Sequence, residues 1–308
     1  MRLLAPAKLN LYLRVLGRRP DGYHELETLF ERIDLADELT FELHPRELRL
    51  TSDAPTLSCG EDNLVMKAAR LLQAERASPC GAHIHLVKRI PISAGLGGGS
   101  SDAATALIGL NALWNIGLEH STLVRLAATL GSDVPFFLCE GTFAIGRGRG
   151  EACEPLAITS RLIHVLVSPS VRLSTKEVFE RAQFDLTVPE PSITILLHAL
   201  RNGSLGELAK GLFNALEPEA IRRCPVIHDL HTCLRNGGCL GTLTSGSGPT
   251  VFGICEGADH AERVVRWLRA HGSADWTISV AASSPRSSRM SPTGSSQPAL
   301  EVLRDGDH

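Results

Sequence analysis

A glycine-rich segment between Pro91 and Ala104, PISAGLGGGSSDAA, has the residue types of a phosphate-binding loop. Four glycines stand within five positions, and two serines and an apolar pattern with helical spacing follow them. Glycines let the backbone approach a bulky anion closely. A helix that starts directly afterwards points its free N–H groups and the positive end of its dipole at the same place. The segment therefore predicts a phosphate cradle rather than a flexible linker.

This loop differs from two common nucleotide signatures. A P-loop has a Lys after its last glycine, whereas a Ser follows here, and the glycine spacing also differs from the Rossmann fingerprint. Residues 83–90 have a strand pattern, and residues 103–114 repeat apolar side chains at helical spacing. We expect Ser100 or Ser101 to cap this helix and Gly117 to end it. The local architecture is predicted as strand, glycine loop and capped helix.

Polar and apolar side chains alternate along a predicted first strand. Residues 8–15 place their apolar side chains on one face. The opposite face carries Lys8, Asn10, Tyr12 and Arg14. An ordinary half-buried strand explains this alternation as well as a functional face does.

An aromatic residue and an imidazole follow a predicted tight turn. The turn is Pro20, Asp21 and Gly22, and Tyr23 and His24 come next. Exposed rings after a turn are common. However, the pair also matches the needs of a planar heterocycle, which are a ring to stack on and a hydrogen-bonding partner for its edge.

Three further segments carry candidate charges or anion contacts. Asp133, in GSDVPFF, is either a turn or helix cap or a catalytic carboxylate against an apolar wall. Arg147 and Arg149, in GRGRGE, are either solvated or in contact with an anion. The late segment LTSGSGPTVF has backbone N–H groups suited to an anion-binding nest. With the first glycine loop, it suggests two loops that close on one polyphosphate.

Composition narrows the class of protein. The 308 residues, 43% of them hydrophobic, suffice for two domains with a sizeable core. A net charge of −3 without a basic run argues against a general nucleic-acid binder. The apolar runs are too short for a membrane span, and the N-terminal segment lacks a signal-peptide pattern. Eight cysteines without a C-x-x-C pair indicate reduced thiols of a cytoplasmic protein.

Four separated motifs carry a family resemblance. The first glycine loop resembles the central phosphate-binding motif of the GHMP kinase superfamily, and TSGSGPTVFG resembles its C-terminal glycine motif. APAKLNLYLRVLGRRPDGYHELETLF and LGSDVPFFL are similar to segments of the branch that acts on a cytidyl diphosphate substrate. The likeness covers residues 4–282, with the motifs in the family's order.

The resemblance implies an α/β (α+β) fold in two domains with the active site in the cleft between them. Residues 1–157 are expected to form the ribosomal-S5-domain-2-like N-terminal GHMP domain. Residues 158–282 are expected to form a ferredoxin-like α/β domain. From its composition, the Ser-rich stretch 283–308 is expected to be a disordered tail.

The resemblance also implies roles for individual residues. Lys8 and Asp133 match the catalytic pair. The matches to the substrate pocket are Asn10, Tyr23, His24, Thr175 and Phe179. Of these, the three residues with rings, Tyr23, His24 and Phe179, would bind cytosine. The matches to the ATP site are Asn63, Lys88, Pro91, Ser93, Gly95, Leu96, Gly97, Gly98, Gly99, Ser100 and Ser101. In relatives with an ordered Mg²⁺, a Ser at the helix start helps to bind it, and here either Ser100 or Ser101 is the candidate.

The implied activity is ATP-dependent phosphorylation of the 2-hydroxyl of 4-diphosphocytidyl-2-C-methyl-D-erythritol, in the non-mevalonate route to isoprenoids. The implied partners are these two small molecules, with the protein a monomer or a weak homodimer that binds neither nucleic acid nor membrane. A GHMP kinase for homoserine, mevalonate or a sugar is one alternative, but the rings at Tyr23, His24 and Phe179 favour a substrate with a base. A catalytically silent nucleotide sensor is the other, and it would not need Lys8 and Asp133.

Overall fold

The computed structural model describes residues 1–75, 80–184 and 191–284. The part of the expected tail from residue 285 onward lies outside these ranges. Eleven strands are present in the described residues: β1 (Arg2–Arg18), β2 (His24–His44), β3 (Leu48–Ser52), β4 (Gly81–Val87), β5 (Phe143–Gly148), β6 (Ala152–Leu156), β7 (Ile163–Ser168), β8 (Phe213–Asn214), β9 (Thr242–Thr244), β10 (Val251–Cys255) and β11 (Thr277–Ala282).

Ten helices accompany the strands in the same ranges: α1 (Leu64–Ala74), α2 (Gly98–Leu113), α3 (His120–Leu130), α4 (Val134–Leu138), α5 (Thr175–Arg181), α6 (Ile193–Asn202), α7 (Leu205–Gly211), α8 (Glu217–Arg223), α9 (Val226–Asn236) and α10 (Ala258–His271). None of the described helices is both long and apolar enough to cross a membrane.

The strands form two sheets, one with mixed strand directions and one that is antiparallel throughout its described strands. A seven-stranded sheet has the order β3-β4-β2-β1-β8, and β5 joins it through β2 while β6 pairs with β5. A four-stranded sheet has the order β11-β7-β10-β9. Strand β8 comes from the second half of the chain but pairs in parallel with β1 of the first sheet. The division into domains after residue 157 stays a prediction.

Strand β1 departs from the predicted alternation at a bulge. Asn10 pairs with Phe30 and Tyr12 with Leu29, so Leu11 is the additional residue between them. Neighbouring residues of β2 point to opposite faces, and Tyr12 therefore leaves the face of Lys8 and Asn10 and joins the apolar core. The prediction that Tyr12 shares the polar face was wrong because one inserted residue reverses every side chain after it.

Helix α2 begins earlier than predicted. Gly97 is its N-cap with a left-handed φ of 69°, and no side chain caps the helix in the described chain. The expectation of a cap by Ser100 or Ser101 was wrong, because the glycine itself takes the conformation that turns the chain into the helix. The helix ends at Leu113 with Trp114 as C-cap, and Gly117 lies beyond it.

A buried polar cluster joins the two sheets. The Glu31 carboxylate on β2 accepts a hydrogen bond from the Ser283 hydroxyl at 2.5 Å, and its other oxygen lies 2.9 Å from His164 Nε2 on β7. Ser283 also pairs with Ile33 as an isolated bridge and is only 9% exposed. The expected boundary of the tail before Ser283 was therefore wrong, since this residue is part of the packed structure.

Replacement of Glu31 tests the importance of this cluster. Glu31→Ala leaves two buried polar partners without their shared acceptor, and we expect a loss of about 2–5 kcal/mol in the free energy of unfolding. Glu42→Ala on the exposed face of the same strand is the matched control. Urea denaturation of both variants measures the effect, and equal stability of the two would contradict the assignment.

Candidate active site

A cleft of about 1380 Å³ is lined by residues from both halves of the chain. Its walls include the face of β1 with Lys8 and Asn10, the first glycine loop, the start of α2, helix α5 and the second glycine loop. Most of the residues that the sequence singled out therefore meet in one place. The geometry of the cleft follows from how each segment reaches it.

The Lys8 ammonium lies at the bottom of the cleft. Its side chain is 4% exposed, and its Nζ lies 3.3 Å from Asp133 Oδ2 and donates to Asn10 Oδ1 at 2.5 Å. Asn10 in turn donates to the Thr28 hydroxyl at 2.8 Å. This chain of contacts fixes the position of a positive charge that is almost removed from solvent.

The Asp133 carboxylate is positioned by its place between two helices. It is the residue before α4, but in the described chain its side chain makes no capping bond to that helix. The carboxylate instead faces Lys8 and is 33% exposed. Of the two readings of Asp133 from the sequence, the structure thus fits an available carboxylate better than a helix cap.

A buried arginine holds the helix that follows Asp133. Arg32 on β2 is fully buried and donates to Phe136 O at 3.1 Å and Cys139 O at 3.0 Å, and it also donates to Gly141 O. These carbonyls belong to the end of α4 and to the turn after it. Sequence reasoning missed Arg32, because its partners lie more than a hundred positions away.

The first glycine loop passes directly over Lys8. Gly97 has a φ of 69°, and a Cβ there would lie 2.9 Å from Lys8 Cγ. Gly95 has a φ of 79°, and a Cβ there would lie well under 3.0 Å from Ser245 O. At both positions the conformation and the close approach require glycine.

The second glycine loop closes over the same ammonium. Gly246 has a φ of 56°, and a Cβ there would lie 3.2 Å from Lys8 Nζ. The Ser245 hydroxyl donates to Gly95 O at 3.0 Å, so the two loops are joined directly. The expectation that both loops close on one site agrees with this arrangement.

Two residues that the sequence did not single out hold the second loop. The Asn214 amide on β8 donates to Thr244 O and Gly246 O, both at 2.7 Å. Glu217 accepts from Thr244 N at 2.8 Å, and its pKa is lowered because bonds to His231 and Thr244 outweigh the effect of burial. The short parallel pairing of β8 with β1 therefore carries the loop to the cleft.

Lys88 is held between two carboxylates. Its Nζ donates to Asp102 Oδ2 at 2.8 Å and also to Asp37 Oδ2. Asp37 accepts from the backbone N–H groups of Arg89 and Ile90 at 2.6 and 2.8 Å. The cluster thus ties the chain entering the glycine loop to the second turn of α2. A contact of Lys88 with a nucleotide stays a prediction.

One ammonium cannot balance two buried carboxylates. Burial raises the pKa of Asp102, the Lys88 charge lowers it and the Asp37 charge raises it again, which leaves it at about 7. Burial lowers the pKa of Lys88, but both carboxylates raise it further. Asp102 Oδ1 is buried and without a hydrogen-bond partner among the described residues. The cluster therefore has an oxygen suited to a further cation.

The remaining predicted ATP-site residues differ in whether they line the cleft. Those that line the cleft are Asn63, Pro91, Ser93, Leu96, Gly98, Gly99 and Ser100. The Asn63 side chain also caps α1 by accepting from Val65 N at 2.9 Å. Ser101 is fully buried and is not a lining residue of the described cleft, so Ser100 is the better placed serine.

Aromatic rings gather at the other end of the cleft. His24 stacks on Phe179 with ring centroids 5.6 Å apart and planes inclined by 27°, and Phe184 meets it edge-on at 5.2 Å. Burial, with the nearby charge of Arg18, lowers the pKa of His24 and so favours its neutral form. Tyr23 is 54% exposed and also lines the cleft.

Thr175 connects this end to the second glycine loop. Its hydroxyl lies 2.8 Å from the Ser247 hydroxyl, and both residues line the cleft. Helix α5, which carries Thr175 and Phe179, therefore spans the distance between the ring cluster and the loop. The sequence had placed both residues in the substrate pocket on the resemblance alone.

Because the two loops are in contact at Gly95, one methyl group added there should lower the stability strongly. In Gly95→Ala, the new Cβ must separate the loops and also adopt a left-handed φ, and we expect a loss of at least about 2 kcal/mol in the free energy of unfolding. Gly206→Ala, where a Cβ meets nothing within 4 Å, is the control. Denaturation curves that coincide for the two variants would rule out the tight contact.

Comparisons with known proteins agree with this architecture. The family described as GHMP kinases N terminal domain matches residues 63–141, and GHMP kinases C terminal matches residues 196–274. A 4-diphosphocytidyl-2-C-methyl-D-erythritol kinase of Pelotomaculum thermopropionicum is 44% identical over 267 residues, which is 86% of this chain and 93% of the relative. The enzyme of the same name from Enterococcus faecalis is 42% identical over 269 residues, again 86% and 93%.

Solved structures of kinases also share the fold of this chain. A crystal structure of 4-(cytidine 5'-diphospho)-2C-methyl-D-erythritol kinase superimposes with a TM-score of 0.77 at 40% identity and covers 92% of this chain and 100% of its own. Homoserine kinase from Cytophaga hutchinsonii has a TM-score of 0.74 at 19% identity, with 92% and 94% covered, and shares the fold alone. The chain therefore belongs to the 4-diphosphocytidyl-2-C-methyl-D-erythritol kinase family of the GHMP kinases.

Proposed function

We propose that this protein transfers the γ-phosphoryl group of ATP to the 2-hydroxyl of 4-diphosphocytidyl-2-C-methyl-D-erythritol, which gives the 2-phosphate and ADP in the non-mevalonate isoprenoid pathway. The observation that carries the proposal is the Lys8–Asp133 pair, 3.3 Å apart, at the point where both glycine loops meet. The relatives at 42–44% identity bear the name of this kinase. The ring cluster at the far end of the cleft suits a substrate that carries a base.

Asp133 is proposed as the acceptor of the hydroxyl proton. Its carboxylate is partly exposed to the cleft and faces a fixed positive charge, so it is available as a base to a bound alcohol. As the hydroxyl oxygen attacks phosphorus, its proton passes to an Asp133 oxygen. The bond from phosphorus to the leaving oxygen of ADP then breaks, with charge spread over the transferred group.

Lys8 is proposed to stabilise that charge. Its ammonium is held by Asn10 and is nearly removed from water, which strengthens its electrostatic effect on an approaching phosphate. The position of Lys8 is already set before the substrate binds, because Asn10 holds its head group and Thr28 in turn holds Asn10.

The first glycine loop is proposed to bind the phosphates of ATP. Helix α2 starts at Gly98, and its first N–H groups together with its dipole favour an anion at this end. The second loop covers the site from the other side, with Gly246 against Lys8. The adenine wall is proposed to include Asn63 and the chain around Lys88.

A magnesium ion fits the oxygen donors at the start of α2. Asp102 Oδ1 is buried without a partner in the described structure, and Ser100 lines the cleft two positions earlier. Carboxylate and hydroxyl oxygens are ligands that Mg²⁺ accepts. When bound, such an ion would offset the negative charge of the ATP phosphates. We propose Ser100 and Asp102 as the residues that hold it.

Selection of the cytidyl substrate is proposed to reside at the ring cluster. Tyr23 offers a face for stacking, and neutral His24 has a donor and an acceptor for the edge of cytosine. Phe179 supports His24 by stacking on its ring.

We also propose that the protein is cytoplasmic and acts as a monomer or weak homodimer, with domains at residues 1–157 and 158–282.

A substrate comparison tests the proposed function. Release of ADP is measured with 4-diphosphocytidyl-2-C-methyl-D-erythritol, with mevalonate and with homoserine. We expect turnover with the cytidyl substrate and a 2-phosphorylated product by mass spectrometry and NMR. Faster turnover of either small alcohol would refute the proposal, because those alcohols have no ring for Tyr23 and His24.

Substitution of the proposed base tests the mechanism. Asp133→Asn keeps the shape of the side chain but removes the proton acceptor, and we expect kcat to fall by about 10²–10⁴ with little change in melting temperature. Asp229→Asn on the exposed side of α9 serves as control. A kcat within a few-fold of wild type would remove Asp133 from the reaction.

A further inference from the structure

Arg149 is one of five cationic side chains that line the described cleft, with Lys8, Arg18, Lys88 and Lys176. It lies in the turn between β5 and β6, lines the cleft, and has its guanidinium carbon 4.8 Å from the centre of the Tyr23 ring. The resemblance assigned no role to it. From the sequence, solvation and contact with an anion were both open for Arg149.

The turn places Arg149 between the two ends of the cleft. Tyr23 belongs to the proposed base pocket, and a Cβ on the next residue, Gly150, would lie 3.9 Å from Asp133 Oδ1. Gly148 and Gly150 both have left-handed φ values, 71° and 108°, so the turn that presents Arg149 needs these glycines. The Arg149 side chain thus extends from a turn beside Asp133 to the Tyr23 ring.

The charge of Arg149 is only partly balanced. Its Nε lies 3.5 Å from Glu151 Oε1, and its side chain is 27% exposed. Lys8 and Lys88, by contrast, are held within hydrogen-bond or ion-pair distance of buried partners. A planar guanidinium can lie on an aromatic ring and still direct its N–H edge to a phosphate.

We propose that Arg149 binds the diphosphate that links the cytidine to the alcohol, and that it forms a subsite for a nucleoside diphosphate in this cleft. The inference rests on the proposed function, because it takes the base at Tyr23 and the hydroxyl at Asp133. The diphosphate lies between those two groups in the substrate, as Arg149 lies between the two residues in the cleft. The bond is a charge-assisted one to the phosphate oxygens.

Arg147 provides a matched control two residues earlier. It is 51% exposed, pairs with Glu154 at 3.0 Å and lies 3.8 Å from Glu27, and is not a lining residue of the described cleft. Arg147→Gln and Arg149→Gln therefore remove the same charge from positions two residues apart, one at the end of β5 and one in the turn after it. Only the second removes it from the cleft.

Binding of two probes separates the diphosphate from the base. Cytidine and cytidine diphosphate are titrated by calorimetry against wild type and both variants, with the ATP site saturated by a non-hydrolysable ATP analogue. In Arg149→Gln we expect cytidine diphosphate to bind about 10-fold or more weakly and cytidine to bind within about 2-fold of wild type. Arg147→Gln should bind both probes as wild type does, and KM for ATP should be unchanged in both variants.

Two outcomes would overturn the inference. Equal weakening of cytidine and cytidine diphosphate would show that Arg149 only supports the Tyr23 ring, and an unchanged affinity for both would show that its charge is solvated. Tyr23→Ala, which should weaken both probes alike, provides the comparison. If wild type binds neither probe, the base pocket of the proposed function is wrong as well, and this result is distinct from the other two.

Discussion

The buried ammonium of Lys8 is the constraint on which the arrangement of the cleft depends. A charge that is 4% exposed must be balanced and hydrogen-bonded, or its burial costs several kcal/mol. Asn10 and Asp133 meet this need, and both glycine loops approach the Lys8 side chain closely. Strand β1 must therefore place Lys8 beside the start of α2. The backbone hydrogen bond from Lys8 N to Leu96 O, at 3.0 Å, fixes this position.

Other buried charges in the molecule hold segments rather than react. Arg32 donates to three carbonyls in α4 and in the turn after it, and Asp37 accepts from two backbone N–H groups before the glycine loop. Buried ions of this kind add little net stability compared with apolar residues. Their directional bonds fix the ends of loops, and here these loops are the ones that carry Asp133 and the proposed phosphate cradle.

The cleft combines a rigid end with a more open one. The Lys8 end is closed by glycine backbone at contact distance, so one added methyl group would displace a loop. The end with Tyr23 is built from one exposed ring, from the partly buried rings of His24 and Phe179, and from a turn that carries Arg149. Catalysis that depends on exact positioning of the reactants requires a rigid end. Entry of a long nucleotide-linked alcohol requires a more open end.

The sequence alone determined the local features of this protein. Glycines followed by an apolar helix predicted the loop before α2, because conformational preferences of this kind depend on neighbouring residues. The order of four motifs indicated the GHMP fold, because each motif is a run of consecutive residues. Only the tertiary structure decided the face of Tyr12, the packing of Ser283 and the roles of Arg32, Asp37, Asn214 and Glu217. Each of these depends on a bulge or on hydrogen bonds between segments that are distant in the chain, and no local pattern specifies such partners.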